Sequence, residues 1–266
     1  MTGGHVGGLR SRRRGTGSDV TGSRPYQPGD DLRRIDRHAS ARLSSASGRD
    51  EWVVREYFAE ESARVVVAVD RRPTMRLFPQ TLPWLHKPAA VASAVTMIVD
   101  SAREAGCTVA LADPDDGGAS DDALLRPLAE LRRGRRRLPP GSFVFLLSDF
   151  LTFPPRDAWA TPLASDWEIV PVLLQDPVWE QSFPDIGSAV LPLADPSTGG
   201  AALVRVRRGE ARARKEEHER RLATTLAEFA GMGLASLLLS TDEPAAIHRA
   251  FLAWAHERTG RDRWRP

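Results

Sequence analysis

Short apolar runs that each stop on a carboxylate constrain this chain most. RVVVAVD (64–70), FVFLLSD (143–149) and WEIVPVLLQD (167–176) are dense in Val, Ile, Leu and Phe and do not alternate with polar residues. Such runs read as strands covered on both faces. CTVALAD (107–113) and LASLLLS (234–240) read the same way. Between them lie segments of helical spacing. LHKPAAVASAVTMIVDSAREAG (85–106) closes on a Gly106 stop, and DDALLRPLAELRRG (121–134) has acids in its first turn and arginines in its last. EARARKEEHERRLATTLAEFAGMG (210–233) is a long charged helix, PAAIHRAFLAWAHERTG (244–260) a closing one, and PRDAWATPLA (155–164) a short one interrupted at Pro162. AVLPLAD and ALVRVRRG, joined by DPSTGG, form a small hairpin. Pro171 argues against a central position for the 167–176 strand. The alternation predicts an α/β fold: a doubly wound, mostly parallel sheet with helices on both faces, plus the hairpin. In such sheets ligands bind beyond the carboxyl ends of the strands, where strand order reverses. Asp70, Asp149 and Asp176 all end strands, and Asp70 and Asp149 converge if their strands are neighbours.

Composition narrows the function classes. The 266 residues are 41% hydrophobic, enough to bury a sizeable core, and 37 basic residues nearly balance 35 acidic ones. That balance argues against a dedicated nucleic-acid binder, although the positives are mostly arginines in local clusters. One cluster, Arg10, Arg12, Arg13 and Arg14, lies in a Gly-, Ser- and Arg-rich segment read as a flexible basic tail over residues 1–23. Another, Arg132, Arg133, Arg135, Arg136 and Arg137, reads as a solvated helix end or an acidic-partner contact. Cys107, the only cysteine, excludes an intramolecular disulfide and reads as an inert core thiol. No signal-peptide core opens the sequence, and the longest apolar stretch, PAAVASAVTMIV, falls short of the ~20 residues of a membrane span. A soluble, cytoplasmic protein without a membrane span is expected.

The end of the first strand, Asp70-Arg71-Arg72-Pro73-Thr74, carries the chemistry most worth weighing. Asp70, Thr74 and the Ser148-Asp149 pair are hard oxygen ligands of the kind that suits Mg²⁺. A haloacid-dehalogenase-like phosphotransferase would need a second aspartate where Arg72 stands, so proton transfer lacks its partner. The plain structural reading is a strand-end Asp that caps a turn or pairs with a nearby Arg. The phosphate-loop, nucleophile-elbow, zinc-helix and dinucleotide-fingerprint motifs are all missing from the sequence. The six histidines are scattered without metal-ligand spacing.

Upstream, SRPYQPGDDLRRIDRHASAR (23–42) interleaves acids and arginines around a Pro28-Gly29 turn, dense enough for internal salt bridges and anchored by Tyr26 and Ile35. This segment resembles the signature of the bacterial family known as domain of unknown function 58. The matching residues are Arg24, Tyr26, Gly29, Asp30, Asp31, Arg33, Ile35, Asp36, Ser40, Ala41 and Arg42, with Arg37 at the family's Trp position. VVREYFAEE before the first parallel strand, LLSDF (146–150) and QDPVWEQSFPDIGSAVLPLADPSTGG (175–200) are similar to further family motifs in order.

The resemblance implies a von Willebrand factor A-like domain over 61–260, behind a signature segment at 24–60. It implies a non-enzymatic interaction protein, an adaptor or partner of a MoxR-type AAA ATPase in a chaperone-like or maturation role. Many members carry Asp-x-Ser-x-Ser, the metal-ion-dependent adhesion site, whose ion accepts a carboxylate from the partner. Here that site is degenerate: Arg72 stands for the first Ser and Thr74 for the second. The expected metal ligands are Asp70, Thr74 and Asp149, and Arg72 is expected either to replace Mg²⁺ by pairing inside the cleft or to point outward and leave a depleted ion site. Arg71, Arg72 and Ser148 are the expected contact residues. The alternative from another class is a divalent-metal-dependent phosphohydrolase using Asp70. Nucleic-acid binding through the arginine clusters predicts steep salt dependence.

Overall fold

A computed structural model describes the chain except residues 1–13, 29, 31–34, 50, 59–63, 77–83, 113–122, 134–137, 195–199 and 263–266. Arg10, Arg12, Arg13, Gly29, Asp31, Arg33, Arg135, Arg136, Arg137 and most of the DPSTGG turn therefore lie outside the described residues. The described residues fall into two compact units, one within Gly7–Ala63 and one within Arg64–Pro266.

In the smaller unit, β1 (Arg14–Pro25) pairs antiparallel with β2 (Val53–Phe58), and α1 (Arg37–Ser47) stands between them in sequence. The strand begins within the stretch read as a flexible tail. A ladder is built from backbone N–H and C=O groups, so a Gly- and Ser-rich segment can pair without apolar side chains to bury. The signature residues organise this unit. Arg24 forms a two-pronged pair with Asp30, at 2.7 and 2.6 Å, and Asp30 also accepts the Gln27 N–H at 2.8 Å. Asp36 caps α1, its carboxylate accepting the N–H groups of His38 and Ala39 at 3.0 Å. Its own N–H donates to the Val53 carbonyl, and Ser40 Oγ accepts the Val53 N–H at 2.9 Å, which ties α1 to β2. Arg42 donates to the His38 carbonyl, and Tyr26 and Ile35 are half-buried.

The larger unit is built on a five-stranded parallel sheet of order β4-β3-β5-β6-β9. Its strands are β3 (Arg64–Val69), β4 (Thr108–Ala112), β5 (Phe143–Ser148), β6 (Glu168–Leu174) and β9 (Leu237–Leu239). The helices are α2 (Lys87–Glu104), α3 (Arg126–Arg133), α4 (Ala160–Leu163), α5 (Arg208–Gly231) and α6 (Pro244–Asp262). β7 (Ser188–Ala194) and β8 (Ala201–Arg207) form a separate antiparallel pair.

Strand sequence dictates two cores. Val65, Val67, Phe143, Phe145, Leu147, Val172 and Leu174 pack on one face with Ala90, Ala94, Ile98 and Ala102 of α2 and Ile247 of α6. The four α2 positions recur every fourth residue, and three are alanines, which lets the helix lie close to the sheet. Val66, Ala68, Val144, Leu146 and Leu173 face the other way, against Leu128, Trp159 and Phe229. α2 ends as expected, with Gly106 at φ 70°.

Two expectations need correcting. β6 is a central strand despite Pro171, because its ladder to the short β9 begins only at Val172. The missing donor falls where one side of the strand has no partner residue, and there its cost is least. Cys107 is only partly buried, because β4 is an edge strand, with Leu111 67% exposed; even so, burial pushes the Cys107 thiol above its ordinary pKa.

Phe229 is fully buried, with ring centroids 5.0 Å from Phe150, 5.1 Å from Phe153 and 5.8 Å from Trp159. Phe229→Ala removes the centre of that cluster and is expected to cost about 3–5 kcal/mol, read as a lower urea midpoint at unchanged slope.

Candidate functional site

The chain runs from β3 out to β4 on one side of the sheet, and the next strand, β5, returns to the other side of β3. Strand order therefore reverses between β3 and β5, and Asp70 and Asp149 stand at the carboxyl ends of those two neighbours. The register pairs Val69 with Leu147, and the Asp70 N–H extends the ladder to the Leu147 carbonyl at 2.8 Å. Both aspartates are buried.

Asp70 accepts four hydrogen bonds. Its Oδ1 accepts the Arg72 N–H at 2.9 Å, and its Oδ2 accepts Arg72 Nε at 2.9 Å, Arg72 Nη2 at 2.7 Å and Ser148 Oγ at 2.6 Å. Arg72 Nη2 also reaches Ser148 Oγ at 3.3 Å and stands 3.9 Å from Asp149 Oδ1, and Nη1 donates to the Thr152 carbonyl at 3.3 Å. A single guanidinium thus spans both strand ends. Arg71 is exposed, and no hydrogen-bond partner meets the buried Thr74 hydroxyl among the described residues.

The second cation is one the strand-end pattern did not single out. Lys87, the first residue of α2, is fully buried, and its ammonium donates to Asp149 Oδ2 at 3.0 Å, Glu180 Oε1 at 2.5 Å and the Thr74 carbonyl at 3.2 Å. Glu180, on the turn after β6, uses its other oxygen to accept the Asp176 N–H at 2.8 Å. Arg221 of α5 donates to the Glu180 carbonyl at 2.9 Å. Two signals in the sequence point to Lys87. Only two of the 37 basic residues are lysines, Lys87 and Lys215, and a cation in the first turn of a helix stands at the unfavourable end of its dipole unless carboxylates compensate it.

Asp176 serves a separate purpose. Its Oδ2 accepts the N–H groups of Trp84 and Leu85, both at 3.2 Å, and its Oδ1 those of Val178 and Trp179 at 2.8 and 3.0 Å. It clips the entry to α2 onto the end of β6. Gln175 locks β5 to β6 by donating to the Asp149 carbonyl at 2.6 Å. Phe150 follows Asp149 at φ 47°, a left-handed conformation that costs a non-glycine residue about 1–3 kcal/mol. It is held there by burial against Phe229 and by its N–H bond to Ser148 Oγ at 3.0 Å.

These residues do not fit a divalent ion. A hard cation needs oxygen lone pairs, and those of Asp70 and Asp149 already receive side-chain cations and N–H groups. Among the described residues no group of three or more His, Cys, Asp or Glu side chains is placed to hold a metal. Nor is any described helix long and apolar enough to cross a membrane.

A sequence model of the family described as "Protein of unknown function DUF58" matches residues 22–119. Over that stretch, which takes in the signature segment, β3 with Asp70, and Lys87, the chain is similar to that family. No curated protein matches the chain.

Removing one partner of a buried ion pair typically costs about 3–5 kcal/mol, so Lys87→Met, which strands Asp149 and Glu180, is expected to lower stability by that amount in urea unfolding. Burial raises the Glu180 carboxyl above its ordinary 4.5, against the opposing pull of Lys87. Its contribution to stability is therefore full below pH 4.5 and lost as pH rises through the raised value. Unfolding of wild type and Glu180→Gln across pH should show the wild-type advantage shrinking as pH rises.

Proposed function

We propose that this chain is a non-enzymatic protein-interaction domain, an adaptor or partner of a MoxR-type AAA ATPase in a chaperone-like or maturation role. The observation that carries the non-enzymatic reading is the state of Asp70. Four hydrogen bonds hold its two oxygens, three of them from Arg72, whose guanidinium stands where a phosphotransferase would place its second aspartate. The partner class comes from the family resemblance of the signature segment, and the domain is read as von Willebrand factor A-like on the same ground.

On this reading the cleft is an adhesion-type site that has lost its metal, with Arg72 in the place of the ion. The contact surface is its rim. Arg71, Arg76 and Trp84 are exposed in the segment between Asp70 and α2, and no acidic residue occurs between Asp70 and Asp100. A rim of this charge suits an acidic segment on the partner.

The test is co-purification of the full chain with a MoxR-type ATPase. Retention that weakens with salt and is lost in an Arg71→Glu, Trp84→Ala variant is expected. No retention of any such ATPase counts against the partner. Phosphatase turnover that disappears in Asp70→Ala would replace the reading with a hydrolase.

A further inference from the structure

We infer that the ammonium of Lys87 is the resident structural cation of this cleft, a tethered ion in a cage of oxygens that a divalent metal could otherwise fill. The cage is built from three elements. Thr74 supplies a carbonyl from the turn after β3, Asp149 a carboxylate from the end of β5, and Glu180 a carboxylate from the turn after β6. The ammonium has three N–H groups and, among the described residues, meets three oxygens, at 3.2, 3.0 and 2.5 Å, with no exposure to solvent. It thereby cross-links α2 to the ends of β3, β5 and β6.

The choice of lysine is itself informative. The chain answers almost every need for positive charge with arginine. A guanidinium is a planar fork suited to pairing a carboxylate side-on, as Arg72 does with Asp70; an ammonium is a compact point charge that can sit at the centre of converging oxygens. Lysine therefore stands where the geometry is that of an ion site. Two carboxylates and a carbonyl also match the small set of protein oxygens with which Mg²⁺ is held, its remaining positions being filled by water. The Thr74 hydroxyl, buried and without a hydrogen-bond partner among the described residues, is a further oxygen on the residue whose carbonyl already faces the cation.

This inference rests on the metal-free reading of the cleft but not on any partner. Its test uses the purified full chain alone, so its failure is distinct from failure to capture an ATPase. Wild type, Lys87→Ser and Lys87→Arg are titrated with MgCl₂ and MnCl₂ at constant ionic strength, by calorimetry and thermal unfolding, with EDTA reversal. Wild type should show no saturable heat and an unchanged Tm. Lys87→Ser, which opens the cage, should unfold at lower temperature and recover on the order of 5 °C with saturating metal. That recovery should be reversed by EDTA and abolished when Glu180→Gln is added. Lys87→Arg should be destabilised and unresponsive to metal, because the larger fork still fills the cage.

Saturable metal binding by wild type that Asp149→Asn removes would overturn the inference, and so would a folded Lys87→Ser that ignores metal. If Lys87→Ser folds only when metal is supplied, the inference stands. If it does not fold even then, the wild-type titration decides between the two outcomes.

Discussion

The burial of Lys87 between Asp149 and Glu180 is the interaction on which the rest of the larger unit depends. Parallel strands cannot be joined by tight turns, so their carboxyl ends are held only by what crosses between them. Here the crossing is ionic. Lys87 binds α2 to β5 and to the turn after β6, Arg72 binds the turn after β3 to β5, and Arg221 brings in α5. Charges taken out of water carry a large desolvation cost, so the cluster stands because its cations and carboxylates answer one another. Asp176 extends the principle with neutral donors, spending four backbone N–H groups on one carboxylate.

That arrangement bears directly on function. A carboxylate that attacks a phosphoryl group or ligates a metal needs an open lone pair and room for what it binds. Here Arg72 and Lys87 already hold Asp70 and Asp149, and the strained Phe150 beside them is pinned by an aromatic cluster. A site whose charges are answered internally presents its rim, not its floor. On the reading proposed above, that rim, with Arg71, Arg76 and Trp84 exposed, is the surface offered to another protein.

The signature segment does more than its charge density suggests. Arg24 and Asp30 do form an ion pair. Asp36, however, caps α1, and Arg42 donates to a backbone carbonyl. Much of what the motif specifies is a turn, a helix start and their attachment to β2, which explains why polar residues at fixed spacing matter in a segment with little to bury.

The sequence alone determined the parallel sheet, its two cores and the strand-end position of Asp70 and Asp149, because uninterrupted β-branched runs and four-residue helical spacing are local patterns. It also held the departure at Arg72, since a guanidinium two residues after a strand-end aspartate can hardly avoid it. Tertiary structure alone decided that β6 is central, that β4 is an edge, and that Lys87 and Glu180 meet at Asp149. Those facts are set by which strands become neighbours. Lys87 and Glu180 are 93 residues apart, and only the closing of the sheet puts their charges in one cage.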